Sequence, residues 1–350
     1  MAPSVTIALD AMGGDNAPDM VIQGADAARI RYPNLSFVLV GDEARLSPLM
    51  LRFPELAAVS EIRHSETVVG ADDKPSIALR QGRQSSMRLA IEAVKAGDAS
   101  GVVSAGNTGA LMAMSKFVLK TLEGIHRPAI ASIFPTMRGQ TVMLDLGANI
   151  ECTVENLVQF AVMGEVFARC VLGVVKPTVG LLNVGIEEFK GHDTVRGAAK
   201  ELAHVDLPIT FHGFVEGDDI TAGTVDVVVA DGFTGNIALK TAEGTARLYS
   251  QFLRTAFKDS LMSRLGYLLA RRSLGKLRDR LDPRRHNGGM FLGLNGIAVK
   301  SHGSTDALGF ANAISFAYDM AREGYNDMVV AELNRWHEDR MEGEARAAAV

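Results

Sequence analysis

Hydrophobic residues in this chain gather in short continuous runs more often than in alternating ones. Val5-Thr6-Ile7-Ala8-Leu9, Gly101-Val102-Val103 and Val227-Val228-Val229-Ala230 each read as a strand covered on both faces. Strands are expected on this pattern at 4–10, 36–41, 101–104, 129–134, 141–146, 178–184, 208–214, 225–230 and 297–300. Helical spacing of apolar positions occupies 19–31, 76–97, 108–120, 153–172, 193–205, 235–272, 304–322 and 326–340. Strand and helix alternate, which predicts an α/β fold built on a mainly parallel, helix-sandwiched sheet. In such a sheet the carboxyl ends of the strands share one edge, and ligands bind there. There is no internal repeat and no Pro, Gly or Ser linker. Residues 1–340 are therefore expected to form a single domain, with a frayed Ala-rich tail over 341–350.

One segment departs from this alternation. From Lys258 to Arg285 there are nine basic residues against three acidic ones, a net +6 in a chain whose total is −5. Leu261, Met262, Leu265, Leu268 and Leu269 fall on one helical stripe, and Leu274, Leu277 and Leu281 form a second around Gly275. With Arg271 and Arg272 between the stripes, 258–285 reads as an amphipathic basic hairpin suited to a membrane surface or an acidic partner. An ordinary core-facing or dimer-facing helix with a solvated back fits the same pattern.

Composition narrows the class. At 350 residues, 47% hydrophobic and 22% charged, the chain is an ordinary globular protein, and its negative charge argues against nucleic acid as a partner. Cys152 and Cys170 lack C-x-x-C spacing, so neither a disulfide framework nor a zinc ribbon is expected. The N-terminus has no signal-peptide pattern, and no apolar run is long enough to span a bilayer. A cytoplasmic location follows, with attachment to a membrane surface left open.

The candidate chemistry sits at the strand ends. Asp10-Ala11-Met12-Gly13-Gly14-Asp15 closes the first strand, and its glycines leave room for a substrate group. Ser104-Ala105-Gly106-Asn107-Thr108-Gly109 puts hydroxyl, amide and backbone donors at a strand-to-helix junction, as phosphate binding requires. Lys190 follows Asn183-Val184-Gly185-Ile186-Glu187-Glu188-Phe189 and is placed to hold a phosphate or an oxyanion. Asp231-Gly232-Phe233-Thr234-Gly235-Asn236 opens the long helix, with Asn236 as an oxyanion donor. Lys300-Ser301-His302-Gly303-Ser304 repeats the theme, with His302 as a candidate base and Ser304 as a ligand. Each has a plainer reading: helix caps for Asp231, Thr234, Ser104 and Asn107, a solvated ion pair for Lys190, a surface imidazole for His302. The sequence lacks G-x-G-x-x-G, the P-loop, G-x-S-x-G and H-E-x-x-H, and its histidines show no metal-ligand spacing.

Taken together, Ile7 to Asp15, Ser104 to Gly109, Leu144 to Asn149, Asn183 to Gly191, Asp231 to Asn236 and Lys300 to Ser304 closely resemble the bacterial phosphate acyltransferases of the PlsX type. The chain departs from that pattern at Ile186, which stands between Gly185 and the paired acids. The resemblance implies a fold similar to phosphotransacetylases and isopropylmalate dehydrogenases, and a homodimer. It implies transfer of a long acyl chain from acyl carrier protein to inorganic phosphate. The acyl phosphate would pass to a glycerol-3-phosphate acyltransferase for phosphatidic acid synthesis, with no cofactor and no metal. It further implies catalytic roles for Lys190 and Asn236, a phosphate site at Ser104–Gly109, and membrane or carrier contact through the hairpin. A small-acyl phosphotransacetylase and a non-catalytic membrane scaffold remain the competing classes.

Overall fold

The computed structural model describes residues 4–204, 209–280, 282 and 288–348. Eleven strands form one sheet: β1 (Val5–Asp10), β2 (Leu35–Gly41), β3 (Ser60–His64), β4 (Gly101–Ser104), β5 (Ala129–Pro135), β6 (Gln140–Leu144), β7 (Thr178–Leu182), β8 (Thr210–Val215), β9 (Val227–Val229), β10 (Gly289–Leu292) and β11 (Ile297–Lys300). The helices of the first half are α1 (Asp19–Arg31), α2 (Glu43–Met50), α3 (Pro54–Ala57), α4 (Pro75–Gln81), α5 (Ser86–Ala96) and α6 (Thr108–Leu119). Those of the second half are α7 (Val154–Phe167), α8 (Asp193–His204), α9 (Gly217–Ala222), α10 (Gly232–Lys258), α11 (Leu261–Arg280), α12 (Ala307–Arg322) and α13 (Tyr325–Ala348).

The strand order is β3-β2-β1-β4-β11-β10-β5-β6-β9-β7-β8. β1 to β4 and β11 run parallel to one another, and β6, β7, β8 and β9 form a second parallel set. Between the sets, β10 is antiparallel to both β11 and β5, and β5 is antiparallel to β6. Three consecutive reversals leave the two sets pointing in opposite directions. The carboxyl ends of β1, β4 and β11 therefore lie at one edge, and those of β6, β7 and β9 at the other. This corrects the expectation of one shared edge. The mainly parallel α/β sheet itself stands as read from the sequence.

One face of the sheet carries a continuous apolar layer in which Leu9, Val103, Leu144, Val229 and Val299 pack against residues of α1, α7, α12 and α13, with Trp336 and Tyr325 fully buried. The other face is split between two smaller layers. Val38, Val102 and Ala298 lie under α5 and α6, whereas Met143, Val228 and Ala230 lie beneath Ala238 and Leu239 of α10. Half-buried Ile130, Ser132 and Phe134 of β5 lie between them. The two-lobed interior follows from this split.

Several expected elements change. The helix expected over 76–97 is broken at Gly82–Gln84, a short 3₁₀ turn, and restarts where the Ser85 side chain accepts from the Arg88 amide. The helix expected over 235–272 begins earlier and is interrupted at Asp259 and Ser260, so the hairpin consists of α10 and α11 rather than 258–285 alone. Phe257 and Tyr267 meet across that turn, ring centroids 5.5 Å apart. Residues 281 and 283–287, including Leu281, Arg284 and Arg285, lie outside the described residues, as do the side chains of 276–280. Unexpected additions are β3, β10, α2, α3 and α9. No helix among the described residues is long and apolar enough to cross a membrane.

Candidate active site

Three loops meet at the edge where β1, β4 and β11 end. Asp10 is fully buried and accepts hydrogen bonds from Ser86 Oγ and Ser104 Oγ, each at 2.6 Å. Burial holds its carboxyl above the usual carboxylate range, and the two serine hydroxyls pull it part of the way back. Ser104 Oγ also accepts from the Gly106 amide at 3.0 Å, so this hydroxyl both donates and accepts inside the fold. Asp15 N donates to Gly303 O at 2.9 Å, and Asn16 Nδ2 reaches Thr305 O, which fastens the β1 loop to the β11 loop. A Cβ on Gly13 would fall 2.8 Å from the Gly106 amide nitrogen, and one on Gly14 would fall 2.9 Å from Ala105 Cβ. Gly14 also has φ +104°, so contact and backbone conformation both select glycine.

The predicted phosphate loop divides on inspection. Ser104 is buried and shapes the loop. Asn107 caps α6 by accepting from Ala110 N, while its Nδ2 donates to the carbonyls of Gly70, Ala71 and Asp73. Gly109 packs on Pro75, where a Cβ would lie 2.7 Å from the ring. These are the geometries of the plainer capping reading. Thr108 remains exposed, and the first-turn amides of α6 begin there. His302 is exposed, and its Nδ1 lies 3.0 Å from Ser304 Oγ.

The opposite edge holds a second junction. Asp145, fully buried at the end of β6, accepts from the amides of Ile130, Gly147, Ala148 and Asn149 and from Asn149 Nδ2. Burial raises its pKa, and these donors oppose the rise. The start of α10 rests on this hub, since a Cβ on Gly235 would lie 2.0 Å from Asp145 O. Asp231 caps α10 through the Thr234 amide and hydroxyl. Asn236 Nδ2 donates to Leu146 O at 2.9 Å, which commits one of its N–H donors. Lys190 stands on the loop after β7, tied down where Asn183 Nδ2 donates to the carbonyls of Gly185 and Lys190. Its Nζ lies 5.8 Å from the centre of the Phe189 ring. Val184, Ile186, Phe189, Phe233 and Ile237 are all exposed around Lys190 and Asn236.

Lys190, Asp231 and Asn236 therefore share one edge, whereas Asp10, Gly13, Gly14, Ser104 and His302 share the other. Three strands separate β4 from β6, roughly 19 Å at about 4.8 Å per strand. The sheet topology by itself does not bring the two groups together. On the hairpin, Leu261, Leu265, Leu268 and Leu269 are 51–81% exposed, with Arg271 and Arg272 exposed beside them. Sequence reasoning passed over Ser86, and it quoted the stretches holding Asp145 and Lys300 without giving either residue a role. The first has no signal in a sequence, but Asp145 and Lys300 both end strongly apolar runs, where a charged residue is unexpected.

The family described as fatty acid synthesis protein matches residues 5–328. A phosphate acyltransferase from Rhodospirillum centenum is 65% identical over 335 residues, covering 96% of this chain and 94% of that protein. One from Paramagnetospirillum magneticum is 61% identical, covering 96% and 95%. Among solved structures, a phosphotransacetylase from Streptococcus pyogenes superposes with a TM-score of 0.64 at 17% identity, covering 91% of this chain and 94% of that one. The EutD phosphotransacetylase of Staphylococcus aureus gives 0.58 at 17%, covering 92% and 95%. These last two share the fold. With the family match spanning nearly the whole chain and relatives this similar, the chain belongs to the phosphate acyltransferase family.

Proposed function

We propose that this enzyme transfers a long-chain fatty acyl group from acyl carrier protein to inorganic phosphate. The acyl phosphate then serves a glycerol-3-phosphate acyltransferase and phospholipid synthesis. A phosphate oxygen attacks the thioester carbonyl, the carbon–sulfur bond breaks, and the pantetheine thiolate leaves. Phosphate is already anionic near neutral pH and a thiol of pKa about 8.5 leaves readily, so positioning and oxyanion stabilisation carry the rate. Lys190 and Asn236 stabilise the tetrahedral oxyanion, and the exposed apolar side chains around them suit an acyl chain. The observation that carries this reading is that pairing of a cationic, amide-bearing loop pair with an apolar surround at the Lys190 edge, in a chain of the phosphate acyltransferase family.

The opposed edges favour a homodimer as the working unit, with Lys190 and Asn236 of one copy facing the β1–β4–β11 loops of the other. Peripheral attachment to a membrane from the cytoplasm is assigned to the exposed stripe of α11. The test is to incubate purified protein with palmitoyl carrier protein and phosphate, trapping acyl phosphate with hydroxylamine. Product that scales with phosphate is expected. Turnover of acetyl-CoA in preference to the palmitoyl donor would replace this reading with a small-acyl phosphotransacetylase. For the membrane arm, Leu265, Leu268 and Leu269 changed together to Asp should abolish retention by anionic liposomes, and equal retention would discard it.

A further inference from the structure

The mechanism above leaves one buried cation unused. Lys300 ends β11, pairs in register with Ser104, and is only 9% exposed. Its Nζ donates to Ala105 O at 3.3 Å and to the Ser301 carbonyl. Both partners are neutral dipoles, so neither cancels the charge. Asp10 and Asp15 of the β1 loop attract it electrostatically. Asp10 attracts it most, but neither carboxylate comes close enough to form an ion pair with it, and Asp15 is exposed, where water screens it. The β4 loop faces it with uncharged Ser104 and Ala105, β10 with Gly289, and His302 lies two residues beyond. Burial outweighs these attractions and pushes the amine down to about 8. A buried ammonium whose hydrogen bonds go to carbonyls and whose carboxylates attract it without pairing favours an anion in direct contact.

The ammonium also anchors the Ala105 carbonyl, two residues before the capping Asn107 and the first turn of α6. It thereby fixes the approach of the helix whose N-terminal amides attract negative charge. We propose that Lys300 is the positioning cation of an anion cradle formed by the ends of β1, β4 and β11, and that it draws a phosphate oxyanion onto the first turn of α6. This rests on the phosphate-transfer reading and adds a residue to it. Two sources offer the same chemistry: inorganic phosphate as acyl acceptor, or the phosphate of the donor's phosphopantetheine arm.

Equilibrium dialysis of the full chain against labelled inorganic phosphate, and separately against 4′-phosphopantetheine, separates them. Lys300→Met keeps the length of the side chain and removes its charge, a change that buried sites tolerate. It should weaken binding of the responsible anion by about 10–100-fold. If that anion is phosphate, the KM for phosphate should rise more than kcat falls. If it is the arm, the effect should fall on 4′-phosphopantetheine and on the donor KM. Both results support the cradle. Wild-type affinity should also decline from about pH 7.5 to about 9.5, where phosphate stays anionic while the amine loses its proton. Flat affinity over that range overturns the proposal, as does equal binding by wild type and Lys300→Met, or no binding of either anion by the wild type. Hydroxylamine-trapped acyl phosphate would still appear in those cases, so the function and the cradle fail separately.

Discussion

Each edge of the sheet is organised around one buried aspartate, but the two recruit different donors. Asp10 collects hydroxyls from Ser86 and Ser104, whereas Asp145 collects four backbone amides and the Asn149 side chain. Beside Asp10 stands buried Lys300; beside Asp145 stand the start of α10 and the amide of Asn236. A buried cation beside a strand end suits an anion already formed, whereas solvent-accessible donors such as Lys190 and Asn236 suit a carbonyl on which charge develops only during reaction. On the proposed function, two superficially equivalent strand ends would serve binding in one case and chemistry in the other.

The comparison is easiest to break at Asp145. Asp145→Ala removes the acceptor of four backbone amides and of the buried Asn149 side chain, and should destabilise the protein by about 3–5 kcal/mol in urea unfolding. A loss no larger than that of an ordinary surface change would remove the hub from the account. Next come the catalytic assignments. Lys190→Ala and Asn236→Ala should each lower turnover on the order of 10²–10³-fold with the fold intact by circular dichroism. Near-wild-type rates would strip either residue of its role. Mixing these variants with Lys300→Met tests the shared site at phosphate well below the raised KM. There both parents are nearly inactive, and co-expressed subunits should regain up to about a quarter of wild-type activity if the edges meet between copies. Gly235→Ala drives a methyl into Asp145 O and should cost about 1–3 kcal/mol, read as a lowered Tm.

Ser86→Ala is the mildest, at about 1–2 kcal/mol near neutral pH. It carries a sign. Asp10 has a raised pKa, so its favourable contribution is complete below the ordinary carboxylate value and declines as pH rises through the raised one. Removing a hydroxyl that stabilises the charged form enlarges that decline. The deficit of Ser86→Ala should therefore grow with pH in unfolding titrations, and a constant deficit would mean that the Ser86 bond does not distinguish the two protonation states.

Much of the fold was legible because its central strands bury both faces. Val227–Val229 and Ile297–Lys300 can be covered only in a helix-sandwiched sheet, and their apolar runs say so directly. β3 escaped notice because Ser60–His64 is a polar edge strand with little to bury. The break at Gly82–Gln84 escaped because helical periodicity on either side bridges a three-residue turn. At the site, the loops carrying Asp10, Ser104, Lys190 and Asn236 were recognisable from glycine and capping residues at strand ends. Whether a given polar side chain faces ligand or fold was not. Ser104 and Asn107 have the composition of a phosphate loop and spend their side chains on Asp10, Ala110 and the carbonyls of 70–73.

By itself, then, the order of residues determined the α/β class, the strand-end loops and the family, since each depends on local patterns of burial, turn and cap. Only the tertiary structure decided which loops share an edge. That depends on three antiparallel pairings in a row, of which β10 with β11 and β5 with β6 are local hairpins, whereas β10 with β5 joins segments far apart in the chain. A separate long-range pairing, β11 alongside β4, buries Lys300 against Ala105, turning what reads as one more polar strand end into a buried cation with no ion pair of its own among the described residues.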